Sequence, residues 1–400
     1  MTRPDSTVAV VHHRGLGHLL EAMDGIAAAS RGLSCEALLV DNTSGSGADL
    51  ADALRRVPNA RRIDAGGNVG FAAGCRLAAE AAQAPTLVFV NDDAVVEPGA
   101  LEHLVAALGA APADVAAVAG RLTDVEGRRN DFSDGFLAFD GHAFAADVGR
   151  PVERLAAADP GEERLFASGG LMAVRRETFL STGGFDDDYF AYLEDVDFGW
   201  RQWIFGNRVV AEPRAVARHR GGATAEALGV FSRGFLYEKN AFATAFKNFD
   251  RDHFRALMPS ILIAFLGRVA EMLATRNAGA RELERDPYAA GPPRRRALAA
   301  LFGIALPETP ALRLEDPLTA AHLRALVWIR RHREALAAKR RAVQARRRRT
   351  DAEIFARFPL RIVPTYPGDS QFDSDFFGEF LQGAPGLVRT TLDEIFEAGA

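Results

Sequence analysis

The sequence predicts an α/β fold in which helices alternate with the strands of a mostly parallel central sheet. Within the first 120 residues, short β-branched and aromatic runs alternate with segments of helical spacing. This alternation is typical of βαβ units, whose strands pair in parallel. Several of the strands end in polar residues, and ligands of such sheets bind at the carboxyl ends of the strands. We therefore expect a ligand site at one edge of the sheet.

The amino-acid composition limits the classes of protein to which this chain can belong. The 400 residues are 48% hydrophobic and 25% charged, as in a globular protein of two or three domains. A net charge of -5 gives no reason to expect nucleic acid as a partner. Cys35 and Cys75 are too few for a disulfide framework, and residues 1–7 do not resemble a secretory signal. We therefore expect a cytoplasmic protein in a reducing compartment.

The elements of the first 120 residues follow from their spacing. The predicted order is strand 7–11, helix 19–29, strand 37–40, helix 50–57, strand 62–64, helix 72–82, strand 87–90, helix 98–108 and strand 115–119. A glycine-rich turn, 66–74, opens the third helix and resembles an anion cradle. It matches neither GxGxxG nor a P-loop, so taken alone it is better interpreted as a tight turn.

A cluster of polar residues, Asn91-Asp92-Asp93, follows the apolar strand 87–90. Adjacent carboxylates repel one another unless a cation or a proton lies between them. Oxygen ligands suit a hard cation such as Mg²⁺ or Mn²⁺. An Asn-Asp turn leading into the next helix explains the same residues, and the pattern alone does not separate the two interpretations.

A second carboxylate cluster lies beyond an irregular segment, 121–164, that we interpret as hairpins. Residues 186–195 contain five acids in ten positions, interleaved with aromatic residues. A helix that begins near Glu194 places Asp195 in its first turn, where the helix dipole stabilises a carboxylate. Capping is the simpler role for such an acid. His219 follows two short strands predicted at 209–210 and 216–217, and a lone histidine is more often structural than a ligand.

Taken in order, these pieces resemble the GT-A fold nucleotide-sugar transferases of glycosyltransferase family 2, in the rhamnosyltransferase-like branch. The resemblance covers about residues 7–225. The matching motifs are Val40-Asp41-Asn42, Gly67-Asn68-Val69-Gly70-Phe71-Ala72-Ala73-Gly74, Asn91-Asp92-Asp93, Ser168-Gly169-Gly170, Gly183-Gly184-Phe185-Asp186, Glu194-Asp195-Val196-Asp197 and His219.

The resemblance implies roles for individual residues. Asp195 matches the general base, and Asp93 with His219 matches a site for Mn²⁺ or Mg²⁺. The residues implied in donor binding are Asp41, Asn42, Asn68, Gly70, Phe71, Asn91, Asp92 and Asp93. The residues implied in acceptor binding are Gly169, Gly170, Glu194 and Trp200.

The implied activity is an inverting, metal-dependent transfer from a UDP- or dTDP-linked sugar to a glycan or lipid-linked saccharide in cell-envelope or polysaccharide synthesis. His12-His13-Arg14 departs from the usual Thr-Tyr-Asn/Arg after the first strand, Cys75-Arg76 from an Asn pair, and Asp92 from a frequent Pro. Two alternatives remain. One is a sugar nucleotidyltransferase, and the other is a non-catalytic carbohydrate- or membrane-binding scaffold with a transferase-like domain.

The second half of the chain predicts a different architecture. We expect a catalytic domain at 1–250, closed by a helix at 231–249, then a helical domain at 251–360 and an acidic, Phe-rich tail at 361–400. The predicted helices are 254–273, 297–302, 319–338 and 342–358, with a linker at 276–296.

Three features of this half leave alternatives open. The apolar helix 254–273 is interpreted as a packed helix, with a membrane-interface helix as the alternative. The basic runs 339–341 and 346–349 are interpreted as a solvated helix face, with contact to anionic lipid at the inner face of the membrane as the alternative. The tail either folds back over the basic helices or mediates homo-oligomerisation.

Overall fold

A twisted central sheet with helices on both faces organises the computed structural model, which describes residues 4–43, 50–221, 223–275, 316–381 and 386–396. The strands of this sheet are β1 (Ser6–His12), β2 (Cys35–Asp41), β3 (Ala60–Asp64), β4 (Thr86–Asn91), β5 (Ala94–Val96), β6 (Val115–Thr123), β7 (Asn130–Phe132), β10 (Glu163–Arg164), β11 (Leu171–Arg175) and β12 (Arg208–His219). A separate hairpin, the β8–β9 hairpin, pairs β8 (Gly135–Leu137) with β9 (Ala143–Ala145).

The sheet order is β10-β12-β6-β11-β4-β1-β2-β3, with β5 on β12 and β7 on β6. Strands β4, β1, β2 and β3 pair in parallel, as the βαβ pattern predicts. β11 enters antiparallel between β4 and β6. The four residues from Val8 to Val11 are at most 7% exposed, because both faces of a central parallel strand are covered by helices. The predicted α/β fold is confirmed.

The helices of the first half cover the sheet. They are α1 (Leu16–Ala29), α2 (Ala51–Arg56), α3 (Phe71–Ala81), α4 (Ala100–Ala110), α5 (Arg176–Ser181), α6 (Glu194–Ile204) and α7 (Ala223–Asn248). The second half contains α8 (Arg251–Thr275), α9 (Pro317–Ala345), α10 (Asp351–Phe355), β13 (Leu360–Ile362), α11 (Asp375–Phe380), β14 (Leu387–Arg389) and α12 (Leu392–Ile395). The predicted linker 276–296 and helix 297–302 lie outside the described residues.

Two boundaries differ from the sequence prediction. The two short strands expected at 209–210 and 216–217 form one strand, β12, whose register with β6 shifts between Ala211 and Val216. Pro213 lies in that interval and lacks the N–H needed for regular pairing, so the strand bulges without ending. The two helices expected at 319–338 and 342–358 are instead one long helix, α9, followed by the short α10. The charged residues at 339–341 do not break α9.

The basic runs are only partly a solvated face, because Arg341, Arg346 and Arg348 are exposed whereas the other four residues are partly buried. Arg340 donates to the carbonyl oxygen of Phe249 at 2.8 Å, and Arg347 donates to that of Asn248. Arg349 donates to the carbonyl oxygen of Asn207 at 2.6 Å. These acceptors lie just after the ends of α6 and α7, where helix carbonyls lack an intrahelical partner. Contact with anionic lipid would need free arginines, and these three are already engaged in the hydrogen bonds described above.

The tail folds back onto the protein, but against α8 and the β8–β9 hairpin rather than the basic helices. Phe372 and Phe377 are each 1% exposed and contact Phe139, with ring centroids 5.5 and 5.9 Å apart. Within the described ranges, α8 is the one helix that could cross a membrane by length and composition, a test that core helices also pass. One face of α8 is packed, and the other exposes Leu262 and Leu266.

Candidate active site

A cavity of about 720 Å³ opens at the carboxyl ends of β1, β2 and β4. This volume is in the range of small-molecule sites. Twelve of the fourteen residues predicted from the sequence line it: Asn42, Asn68, Gly70, Phe71, Asn91, Asp92, Asp93, Gly169, Gly170, Glu194, Asp195 and His219. Residues that are up to 177 positions apart in the chain, Asn42 to His219, therefore share one space.

The two remaining residues lie elsewhere. Trp200 is 0% exposed and packs against Phe249 and Phe355, with ring centroids 4.9 and 5.4 Å apart. Helical spacing identified an inward face of α6 but did not show that this face packs in the core. The predicted contact of Trp200 with the acceptor is therefore wrong. Asp41 is buried beside the cavity, where its carboxylate accepts from the Thr43 hydroxyl at 2.7 Å and from Arg62 at 2.5 Å.

The sheet register brings Asp93 and His219 together. β12 pairs with β5 so that His219 lies opposite Ala94, the residue after Asp93. The Nε2 atom of His219 is 3.1 Å from Asp93 Oδ1, and its Nδ1 atom is 2.6 Å from Asp131 Oδ2. Burial disfavours the charged imidazole, but the hydrogen bonds to Asp131 and Asp93 outweigh it and raise the pKa of His219 to about 10.

The chemistry of this pair fits a divalent cation. A carboxylate oxygen and an imidazole nitrogen converge on the cavity, and both are ligands that Mn²⁺ accepts. Burial would raise the pKa of Asp93, but the hydrogen bond and charge of His219 lower it, which keeps the carboxylate ionised. The side-chain nitrogen of Asn91 lies 3.2 Å from His219 Nε2.

A network of amides forms the cavity wall that faces Asp93 and His219. Asn42 accepts from the backbone N–H of Val69 at 2.7 Å and donates to Asn68 Oδ1 at 3.1 Å. The ring of His13 lies 3.0 Å from the carbonyl oxygen of Asn42. Gly70 adopts φ 87°, and a Cβ there would lie 2.6 Å from the carbonyl oxygen of Phe190. Glycine at 70 therefore permits both the left-handed turn and the close approach of the neighbouring loop.

That neighbouring loop leads into the carboxylates and carries unusual backbone angles. Phe190, Tyr192 and Leu193 have φ of 66°, 70° and 65°, which non-glycine residues rarely adopt. Asn240 of α7 holds the loop by donating to the carbonyl oxygens of Tyr189, Ala191 and Tyr192 at 3.1, 2.9 and 2.7 Å. Strained backbone of this kind persists where surrounding contacts fix it, and it is concentrated at functional sites.

Glu194 and Asp195 lie side by side but in different environments. Burial and then the charge of Asp195 raise the pKa of Glu194 well above its usual range. Burial also raises the pKa of Asp195, although the amides of Gly169 and Val196 donate to it at 2.9 and 2.8 Å and oppose the shift. The pKa of Glu194 is raised further than that of Asp195, so Glu194 is the more readily protonated of the two.

Sequence reasoning missed several residues of the site. Asp131 contacts the predicted residue His219 but belongs to a short strand with no local motif. Asn240 donates to the loop just before Glu194, and the sequence offered only a loose resemblance at Lys239-Asn240. Phe132 and Tyr237 line the cavity as well. His12, noted only as a departure from the family pattern, donates to Asp92 at 2.7 Å. Each of these contacts joins segments far apart in the chain, so local spacing carried no signal for them.

Comparison with known proteins defines the class. Residues 7–181 match the family model Glycosyl transferase family 2. This segment is therefore similar to glycosyltransferase family 2, and the chain resembles rhamnosyltransferases of that kind. Two relatives, both named N-acetylglucosaminyl-diphospho-decaprenol L-rhamnosyltransferase, come from Mycobacterium tuberculosis strains CDC 1551 / Oshkosh and ATCC 25618 / H37Rv. Each is 28% identical over 208 residues, covering 47% of this chain and 67% of the relative.

Solved structures bear on the fold. The fold is similar to the crystal structure of GalNAc-T7 with UDP, GalNAc and Mn²⁺, with a TM-score of 0.51 and 17% identity over 65% of this chain. The match spans about half, 51%, of the GalNAc-T7 chain. The mannosyltransferase PcManGT from Pyrobaculum calidifontis, in complex with GDP-Man and Mn²⁺, matches with a TM-score of 0.45 and 18% identity over 82% of this chain and 87% of that chain. The GT-A fold implied by the sequence motifs is confirmed.

Proposed function

We propose that this protein is an inverting, metal-dependent glycosyltransferase that uses a UDP- or dTDP-linked sugar donor. The observation that carries the proposal is that Asp93, His219 and Asp195 line one cavity from three separate elements. Asp93 and His219 would hold Mn²⁺ or Mg²⁺, which neutralises charge on a departing diphosphate. Asp195 would take the proton of the attacking acceptor hydroxyl. Attack from the side opposite the leaving group inverts the anomeric centre.

We assign the two walls of the cavity to the two substrates. The amide wall formed by Asn42, Asn68 and Gly70 belongs to the donor, together with the departing diphosphate near Asp93. The wall of Gly169, Gly170 and Glu194 belongs to the acceptor. Neutral Glu194 can donate a hydrogen bond to an acceptor oxygen, whereas ionised Asp195 can only accept one. This difference assigns positioning to the first residue and proton removal to the second.

A lipid-linked saccharide is the acceptor class that we propose, for cell-envelope polysaccharide synthesis. The names of the Mycobacterium relatives include a diphospho-decaprenol group. Leu262 and Leu266 of α8 are 47% and 58% exposed, which suits peripheral contact with the inner face of a membrane. Because Arg340, Arg347 and Arg349 already donate to backbone carbonyl oxygens, we expect this contact not to depend on those arginines.

Asp93→Ala tests the proposal. Full-length protein is screened by thermal shift against UDP-, dTDP- and GDP-sugars with and without Mn²⁺, since a ligand that binds the native state raises its stability. We expect one nucleotide class to stabilise the wild type in a metal-dependent manner, and Asp93→Ala to lose that dependence and all sugar transfer. Unchanged Mn²⁺-dependent binding in Asp93→Ala would contradict the metal assignment. Release of pyrophosphate in place of sugar transfer would indicate a nucleotidyltransferase.

A further inference from the structure

Asp131 lies at an irregular position of the sheet beside the cavity. In the pairing of β7 with β6, Leu122 lies opposite Phe132 and Thr123 lies opposite Asn130. One step along β6 therefore matches two steps along β7, and Asp131 is the extra residue of a β-bulge. Bulges change the direction of a side chain, and they are common next to active sites.

Both neighbours of Asp131 are anchored. The Asn130 side chain donates to the carbonyl oxygens of Ala146 and Asp147 at 3.0 and 3.2 Å. Phe132 is 7% exposed and packs against Phe166 with ring centroids 5.8 Å apart. Because the backbone is fixed on each side, the Asp131 carboxylate has a defined position.

The imidazole of His219 lies between two carboxylates. Its Nδ1 atom is 2.6 Å from Asp131 Oδ2, and its Nε2 atom is 3.1 Å from Asp93 Oδ1. A carboxylate at Nδ1 keeps the proton on that nitrogen, so a cation that binds to Nε2 has to displace only the Nε2 proton. The side-chain nitrogen of Asn91 lies 3.2 Å from the same Nε2 atom.

We propose that Asp131 is a positioning residue for the metal site, holding His219 in the orientation and tautomer in which Nε2 and Asp93 together bind a divalent cation. This inference rests on the proposed function, because it needs a metal at Asp93 and His219. A purely structural ion pair is the competing explanation. The Asp131 side chain is 37% exposed, however, and pairs at that exposure contribute little to stability.

Mn²⁺ binding to the full-length protein is the test, measured by electron paramagnetic resonance with Mn²⁺ alone and with Mn²⁺ plus UDP. We expect Asp131→Ala to weaken Mn²⁺ binding about 10–100-fold, the usual effect of removing such a partner. Asp131→Asn should lose less, because its amide oxygen still accepts from Nδ1–H. Glu153→Gln, which removes an exposed carboxylate outside the cavity lining, is the charge-matched control and should bind as the wild type does.

Each result separates the inference from the proposed function. Wild-type affinity in Asp131→Ala, with loss of binding in Asp93→Ala, would overturn the inference and leave the metal site standing. Equal losses in Asp131→Ala and Asp131→Asn would also overturn it, since charge alone would then matter. Unchanged binding in Asp93→Ala would overturn the metal site itself. Should Asp131→Ala fail to fold, ¹⁵N spectra of Mg²⁺-loaded wild type and Asp131→Asn decide, because the proposal requires a protonated Nδ1 on His219 in the wild type.

Discussion

At the residue scale, the adjacent carboxylates Glu194 and Asp195 lie in different environments, and we assign them different roles on that basis. Two backbone amides stabilise the charge of Asp195, whereas Glu194 Oε2 is buried without a hydrogen-bond partner in the described part of the chain. A carboxyl group without donors is cheaper to bury as the neutral acid. The local pattern places both residues at a helix start, and only the family resemblance distinguishes them, since the Gly169 amide comes from another segment.

The pH dependence of turnover follows from this difference. Asp195 must be deprotonated to act as a base, and burial raises its pKa. Activity should therefore fall on the acid side at a pH above the ordinary Asp range of about 4. Glu194→Gln replaces an acid that is already neutral, so we expect kcat to drop less than about tenfold and the acid limb to stay in place. Measurement of kcat against pH for both proteins checks this, and an inactive Glu194→Gln with an intact Asp195→Asn would reverse the two roles.

At the scale of elements, the site depends on a loop held from outside its own segment. The turn at 190–193 is strained, and Asn240 of α7 holds three of the carbonyl groups at 189–192. Strand β4 and the Asn91-Asp92-Asp93 cluster could be predicted because strand pattern and polar end are contiguous. The Asp131–His219 and Asn240 contacts could not, because they depend on a bulge and on helix packing across 88 and about 50 positions.

Asn240→Ala tests the importance of this support. Loss of the amide leaves three buried carbonyl groups without that donor, so we expect unfolding free energy to fall by about 1–3 kcal/mol. Small displacement of Asp195 should lower kcat by up to about 10²-fold with little change in donor binding. Asn207→Ala, which removes a side-chain amide bonded to Gln202 rather than to the loop, is the control. Equal kcat in the two variants would argue against the support role.

At the scale of the whole molecule, a buried charged cluster joins the β8–β9 hairpin to the C-terminal half. Arg268 of α8 donates to Asp140 at 2.8 Å and to Asp369 at 2.6 Å. His142 lies 3.0 Å from Asp140 and 3.4 Å from Glu238 of α7. The sequence showed these residues only as scattered polar positions. Likewise, the sequence predicts that the arginines at the end of α9 and just after it are solvated, because sequence spacing does not reveal the helix ends that they contact.

Stability should depend on the charge of His142. Burial disfavours its charged form, but the charge and hydrogen bond of Asp140 outweigh burial and raise the pKa to about 9. A raised pKa means that the stabilisation is complete below about pH 6.5 and is lost as pH rises through about 9. We expect the wild type to lose about 3 kcal/mol of unfolding free energy across that window. Urea unfolding at several pH values should show a flatter profile for His142→Gln, and parallel profiles would contradict the assignment.

The central claim is that Asp195 removes the acceptor's proton across the cavity from Asp93 and His219. Asp195→Asn keeps the size of the side chain and removes its basic oxygen. With the nucleotide sugar found in the thermal-shift screen and a saccharide acceptor, single-turnover transfer by Asp195→Asn is the most direct test. The account predicts a loss of about 10²–10⁴-fold in the rate, with donor affinity nearly unchanged. A rate close to that of the wild type at unchanged donor affinity would contradict it.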